Sequence, residues 1–393
     1  MQVSLLPAAS AVAPRPLMHV YNNDWLRAML PSGRCRGQMF CAEDSLPQAI
    51  LTSELLAPTP AAACLHVVPL RFSERSQGKW QGEPLRVYLN ESRTMVEGIV
   101  QRTPWYNASG GRDHIWILAY SNPKPPAEFV KGVLWLTNGD PRWISRLAND
   151  DPVGSAAEAA AKSDTSLVAR TVIIPPAIPP QMVRYWSRQR GSTRPQRNLL
   201  ASFYGNSGAT KSPVDHGYSD RRAVAVRYAV NISVADTPAA NATPGTRIWA
   251  LSPATAGALS EAELYARSRF VLCPRGLALW TPRPILAVYS GAVPVIIGAD
   301  ELLLPLYRMF DWRTFAVRVP SLAIGHLVPL LRAIPRAHVR ALLANASKLR
   351  ALLQAEPQRL AEAIVEETLQ IDTPEVRRCH GRKRAAKSRS SLV

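Results

Sequence analysis

The stretch RFVLCPRGLALWTPRPILAVYSGAVPVII, residues 269–297, leaves few folds open to this chain. Its first apolar run, Phe270 to Leu272, is too short for a helix, and its last, Val293 to Ile297, is β-branched and follows a glycine closely. Between them Thr281 suits a helix N-cap, Pro282 the first helical position and Gly291 a left-handed stop. Ile285, Leu286, Val288 and Tyr289 supply the apolar face. The predicted order is strand, loop over 273–280, helix over 281–290, strand. That is a βαβ unit, which requires a parallel sheet.

In an open parallel sheet, ligands sit where a strand's carboxyl end passes into the next helix. Here that loop carries Arg275, Gly276, Thr281 and Arg283. Gly276 lets the backbone approach closely, the arginines offer planar forks of donors, and a helix start favours negative charge. The corner suits a diphosphate. Gly205, ending the strand predicted in NLLASFYGN, is placed with these residues as a ligand-binding position.

The rest of the chain repeats the alternation. Apolar strand-like runs occur at LMHVY, ACLHVVPL, HIWILAY, VLWLT and TVIIPP, with a helical stretch over 44–56 and another over 221–228. Ser260 caps a helix containing Glu261, Glu263 and Leu264. The pattern is α/β. At 393 residues two domains are expected. We place them at 1–190 and 191–330, followed by helices over 331–372 and a basic disordered tail over 373–393. The Ala-rich segment AAEAAAKSD forms a short helix or loop, and the proline- and arginine-rich stretch 175–197 reads as the linker.

A formal charge of +18 favours polyanions, anionic membrane surfaces or phosphate-bearing small molecules. No nucleic-acid-binding motif accompanies it, so nucleic acid is not an expected partner. No apolar run reaches the ~18 to 20 residues of a membrane helix, and the proline-broken start shows neither a signal peptide nor an anchor. Alone, that favours a soluble protein. Pulling the other way, Asn90, Asn107, Asn231, Asn241 and Asn345 each begin an Asn-x-Ser/Thr triplet, an excess that points to a secretory lumen. The cysteines at 35, 41, 64, 273 and 379 show no zinc spacing, and Cys35 and Cys41 are near enough in sequence to pair.

The βαβ block resembles the signature of exostosin-like glycosyltransferases, family 47. The matching residues are Ser268, Phe270, Leu272, Pro274, Gly276, Arg283, Ala287, Gly291, Pro294, Val295, Ile296, Pro305, Asp311, Trp312 and Phe315. TPWYNASGGRDHIWIL is similar to a second block of that family, carried by Pro104, Trp105, Asn107, Gly110, Gly111, Arg112, Asp113, His114 and Trp116. The likeness spans 17–353.

This resemblance implies a GT-B architecture, two Rossmann-like domains facing across a cleft, with a UDP-sugar donor in the C-terminal one. It implies inverting transfer to a hydroxyl of a cell-wall, matrix or protein-linked glycan in the Golgi lumen, without an essential metal or other cofactor. Arg275, Arg283 and the helix start at Thr281 would stabilise the leaving diphosphate, with Gly276 and Gly205 beside them. Asp113 or His114 would take the acceptor proton from the opposite domain. Two departures matter: Leu286 and Ser321 stand where relatives place acids, and milder ones are Thr171 and Ala292. They motivate an alternative, a catalytically silent relative that binds glycan or supports a partner glycosyltransferase.

Overall fold

A computed structural model describes residues 17–21, 41–69, 94, 96–119, 131–147, 165–189, 197–205, 219–228, 248–251, 260–275, 281–298 and 300–379. The first half contributes strands β1 (Met18–Val20), β2 (Leu65–Val68), β3 (His114–Leu118), β4 (Val133–Leu136) and β5 (Thr171–Ile173). The second contributes β6 (Leu199–Tyr204), β7 (Ile248–Leu251), β8 (Ser268–Pro274), β9 (Val293–Ile297) and β10 (Val317–Val319). The helices that matter below are α1 (Ala42–Leu51), α2 (Pro104–Ser109), α3 (Pro180–Arg188), α4 (Ser219–Tyr228) and α5 (Glu261–Arg267). They are followed by α6 (Arg283–Tyr289), α7 (Arg336–Asn345), α8 (Ser347–Leu353) and α9 (Pro357–Thr368).

The strands form two five-stranded sheets, and every pairing is parallel. The first is ordered β1-β2-β3-β4-β5 and the second β7-β6-β8-β9-β10. Strands such as LHVV, VLWL and VPVII are buried along their whole length, as a sheet covered on both faces demands. The expected βαβ unit is present, with Phe270 opposite Val293 and Leu272 opposite Val295.

The halves are stitched together. Leu303 N donates to Gly139 O at 2.9 Å, Leu306 N to Ile173 O at 2.8 Å, and Arg308 Nη1 to Thr171 O at 2.7 Å. Helix α9 returns to the first half, where Trp135 Nε1 donates to Thr368 Oγ1 at 2.9 Å. One apolar core joins Trp135 and Ile174 to Leu304, Leu306 and Ile364.

Two sequence expectations need correction. The presumed linker holds α3, whose Met182 is buried; a single anchoring apolar residue was too weak a periodicity to reveal it. Residues 373–379 of the expected tail belong to the fold: Val376 and Cys379 are fully enclosed, and Cys379 forms a disulfide with Cys64, 315 residues away. Cys41 is also disulfide-bonded, but the expected Cys35–Cys41 pairing lies outside the described residues, as do AAEAAAKSD and 380–393.

Candidate functional site

In the second sheet β6 is followed on one side by β7 and on the other by β8. Such a reversal of winding direction is where open α/β sheets take their ligands, outside the carboxyl ends of the two flanking strands, here β6 and β8. Tyr204 and Gly205 end one of those strands, and Pro274 and Arg275 end the other. Arg283 reaches between them from the first turn of α6.

The Arg283 side chain is 7 % exposed. Its Nε donates to Tyr204 O at 2.7 Å and its Nη1 to Thr281 Oγ1 at 2.6 Å, with Cζ 4.8 Å from the Phe203 ring centroid. Nη2 lies over Gly205, where a Cβ would come within 1.8 Å of it; only glycine fits there. Arg283 forms no ion pair among the described residues. A guanidinium held rigidly in a buried position without a carboxylate partner is a cation short of its counter-charge. Glu261 is the acid whose field it feels; burial raises that carboxyl and the Arg283 charge opposes the rise. Around it burial also lifts the Tyr265 phenol and pushes the Cys273 thiol up to about 12, so neither supplies negative charge at neutral pH.

The helix start offers less than the sequence suggested. Thr281 precedes α6 by two residues and turns its hydroxyl to the Arg283 guanidinium, while Arg283 N lies 3.5 Å from that oxygen. Pro282 and Pro284 have no N–H to give. Among the described residues, side chains and not free amides make this corner.

Arg275 is the second cation, and it is partly answered. Its Nε stands 2.8 Å from Asp220 Oδ2, a residue only 4 % exposed at the start of α4. The same oxygen and the Ser321 hydroxyl both crowd Gly298, where a Cβ would meet them at 2.3 and 2.1 Å. Asp220 thus brings a carboxylate beside Ser321, where an acid was missed, from a different element of the chain. Leu286, the other departure, is 3 % exposed and packed into the core. Gly276 lies outside the described residues. Sequence reading passed over Asp220 and Glu261 because each reads as an ordinary acid in a helix first turn.

Asp113 and His114 lie elsewhere, at the amino end of β3. His114 has no exposed surface; its Nε2 is 2.7 Å from the Tyr21 hydroxyl and its Nδ1 2.8 Å from Asp113 Oδ1. Ser109 donates to the same carboxylate oxygen. Burial pushes the Asp113 carboxyl up, but the His114 and Ser109 hydrogen bonds outweigh it and leave it below the usual range. His66 stacks on His114 with centroids 5.1 Å apart, and Trp105 stacks on His66 at 6.3 Å. Among the described residues, no group of three or more His, Cys, Asp or Glu is placed to hold a metal ion.

Comparison with known proteins decides the family. The Exostosin GT47 domain model matches residues 15–334, most of the chain. This chain belongs to the exostosin GT47 family. The GT47 chain is 25 % identical over 349 residues to a probable glucuronoxylan glucuronosyltransferase of Arabidopsis thaliana, covering 87 % of this chain and 68 % of that protein. It is 26 % identical over 352 residues to the probable glucuronosyltransferase 47 A of Physcomitrium patens, covering 87 % and 70 %. With a probable beta-1,4-xylosyltransferase of Arabidopsis thaliana it shares 26 % over 339 residues, covering 84 % and 74 %. This GT47 chain is accordingly a member of a glycosyltransferase family, whose chemistry joins a nucleotide-sugar donor to a glycan acceptor.

Proposed function

We propose that the chain is an inverting glycosyltransferase that moves a sugar from a UDP-sugar to a glycan hydroxyl, its two sheets acting as the lobes of a GT-B enzyme. The observation that carries this reading is Arg283, buried at the β6/β8 crevice, fixed by main-chain and hydroxyl contacts, and without an anionic partner among the described residues. A diphosphate bound there receives a charge-assisted fork, and the same contact strengthens as the leaving group gains charge. Arg275, tethered by Asp220, adds a second cation at the mouth. No step of this scheme is routed through a metal.

Of the pair expected to accept the proton, Asp113 is the candidate: its carboxyl stays ionised and its side chain keeps 16 % exposure, whereas His114 is enclosed. Its position at the amino end of β3 makes this the most breakable part of the proposal. Asp113→Asn lowers kcat with little change in KM if the role is right; a loss of stability without a kinetic change removes it. We place the protein in the Golgi lumen, a reading supported by the exposed Asn107 and Asn345 triplets and the Cys64–Cys379 disulfide.

The names of the relatives make UDP-glucuronate and UDP-xylose the first donors to try. Purified full-length protein incubated with each UDP-sugar and a xylan or other glycan acceptor should release UDP and extend the acceptor. Tight UDP binding without turnover for any donor would favour the silent relative that supports a partner glycosyltransferase, a reading motivated by the apolar Leu286.

A further inference from the structure

A cavity of about 620 Å³ lies at the far end of α6, away from Arg283, among α3, α7 and α8. The two ends of the seven-residue helix α6 lie about 9 Å apart along its axis. The cavity lining includes Trp186, Arg197, Arg340, Arg350, Ser347 and Gln354 and, among the described residues, no aspartate or glutamate.

The donors here outnumber their acceptors. Arg197 is committed: it donates to Ser290 O at 2.8 Å and to Tyr265 O at 3.3 Å. Gln354 Nε2 donates to Tyr289 O at 3.1 Å. These two contacts already answer carbonyls at the carboxyl end of α6, so that end does not need further cations. Arg350, half-buried, holds its guanidinium over Gly291, where a Cβ would come within 2.6 Å of Nη1. Neither Arg340 nor Arg350 makes a side-chain hydrogen bond or ion pair among the described residues. The Trp186 indole N–H is buried without an acceptor among the described residues. The volume is that of a small-molecule site, and the surplus is entirely on the donor side.

Two planar forks match a carboxylate better than a compact point charge would, and an indole supplies an apolar face with a polar edge. We propose that this cavity binds a uronate-bearing saccharide, Arg340 and Arg350 taking the carboxylate and Trp186 lying against the sugar ring. The site goes beyond the donor corner and holds an acidic chain whether or not UDP occupies the crevice at Arg283.

Calorimetric titration of the full-length chain with tetragalacturonate tests this, with cellotetraose, inorganic phosphate and UDP as comparison ligands. Tetragalacturonate should bind, cellotetraose should not at tenfold higher concentration, and phosphate should bind at least about tenfold more weakly than the saccharide. Arg340→Ala, an exposed helix position whose loss leaves folding intact, should weaken tetragalacturonate about tenfold, and the Arg340→Ala/Arg350→Ala pair further. Arg283→Ala should leave this affinity unchanged while altering that for UDP, so the two sites fail separately. No binding of tetragalacturonate at millimolar concentration, an affinity untouched by Arg340→Ala with an unchanged melting temperature, or phosphate binding as tight as the saccharide would each overturn the proposal.

Discussion

The two parallel sheets are built alike and end differently. Among the described strands the first runs in chain order, β1 to β5, and has no point at which its winding reverses; the second reverses between β6 and β8. In the first, Tyr21, His114, Asp113 and Ser109 form a continuous chain of hydrogen bonds, with His66 stacked on it. In the second, Arg283 is fixed at the reversal and makes no ion pair among the described residues. A closed polar cluster stabilises a fold, whereas an open one calls for a ligand.

The contrast is broken most directly at His114. Replacing it with alanine takes a hydrogen-bond partner from both the Tyr21 hydroxyl and the Asp113 carboxylate and leaves a cavity, and should cost about 2 to 3 kcal/mol in urea unfolding. UDP affinity should not change, because the ligand belongs to the other sheet; a parallel loss of affinity would join the two regions after all.

Acid should act on the first sheet through His66. Burial, reinforced by His114, lowers its pKa to about 4 from an ordinary 6.5. Its contribution is therefore present above pH 6.5 and is lost as pH falls toward 4, because the unfolded chain takes the proton first. The loss should reach about 3 kcal/mol, and His66→Phe should flatten this part of the stability–pH curve.

At the seam between the halves the sign reverses. Glu367 is wholly enclosed on α9, where burial raises it to about 7 and Arg308, 3.7 Å away, only partly offsets that. Here the native state binds the proton first, so stability rises as pH falls from 7 toward 4.5. Glu367→Gln should stabilise the protein at pH 8 by about 2 to 3 kcal/mol, and the two proteins should converge near pH 4.5. Arg308 keeps its bonds to Thr171 O and Ala169 O in that variant.

The smallest effect is expected at the mouth of the crevice. Asp220→Asn frees Arg275 of its carboxylate and should tighten UDP binding by less than about 1 kcal/mol, with a steeper salt dependence.

The layer structure was legible because periodicity and punctuation agree: the VPVII run, Gly291 and the Ser260 capping box all point to the elements they form. Strand order was not legible. Nothing in NLLASFYGN reveals that β6 lies between β7 and β8, yet this placement turns Gly205 and Arg283 into neighbours. Arg283 was found from its spacing after the β8 strand, but its bond to Tyr204 O joins residues 79 apart. The Arg275–Asp220 pair is equally non-local, and the Asp113–His114 dyad, visible as a motif, gave no sign of the Tyr21 hydroxyl that engages it across 93 residues. Residue type and local order survive in a linear reading; which partner satisfies which charge is settled only by tertiary packing.

The most direct test of the account is a calorimetric titration of UDP into the wild-type protein, Arg283→Lys and Arg283→Ala, each first shown by thermal melting to be folded. The account predicts measurable UDP binding by the wild type, weakening by about tenfold in the lysine variant, which keeps the charge and loses the fork, and by about 100-fold or more in the alanine variant. Equal UDP affinity in all three proteins would contradict it.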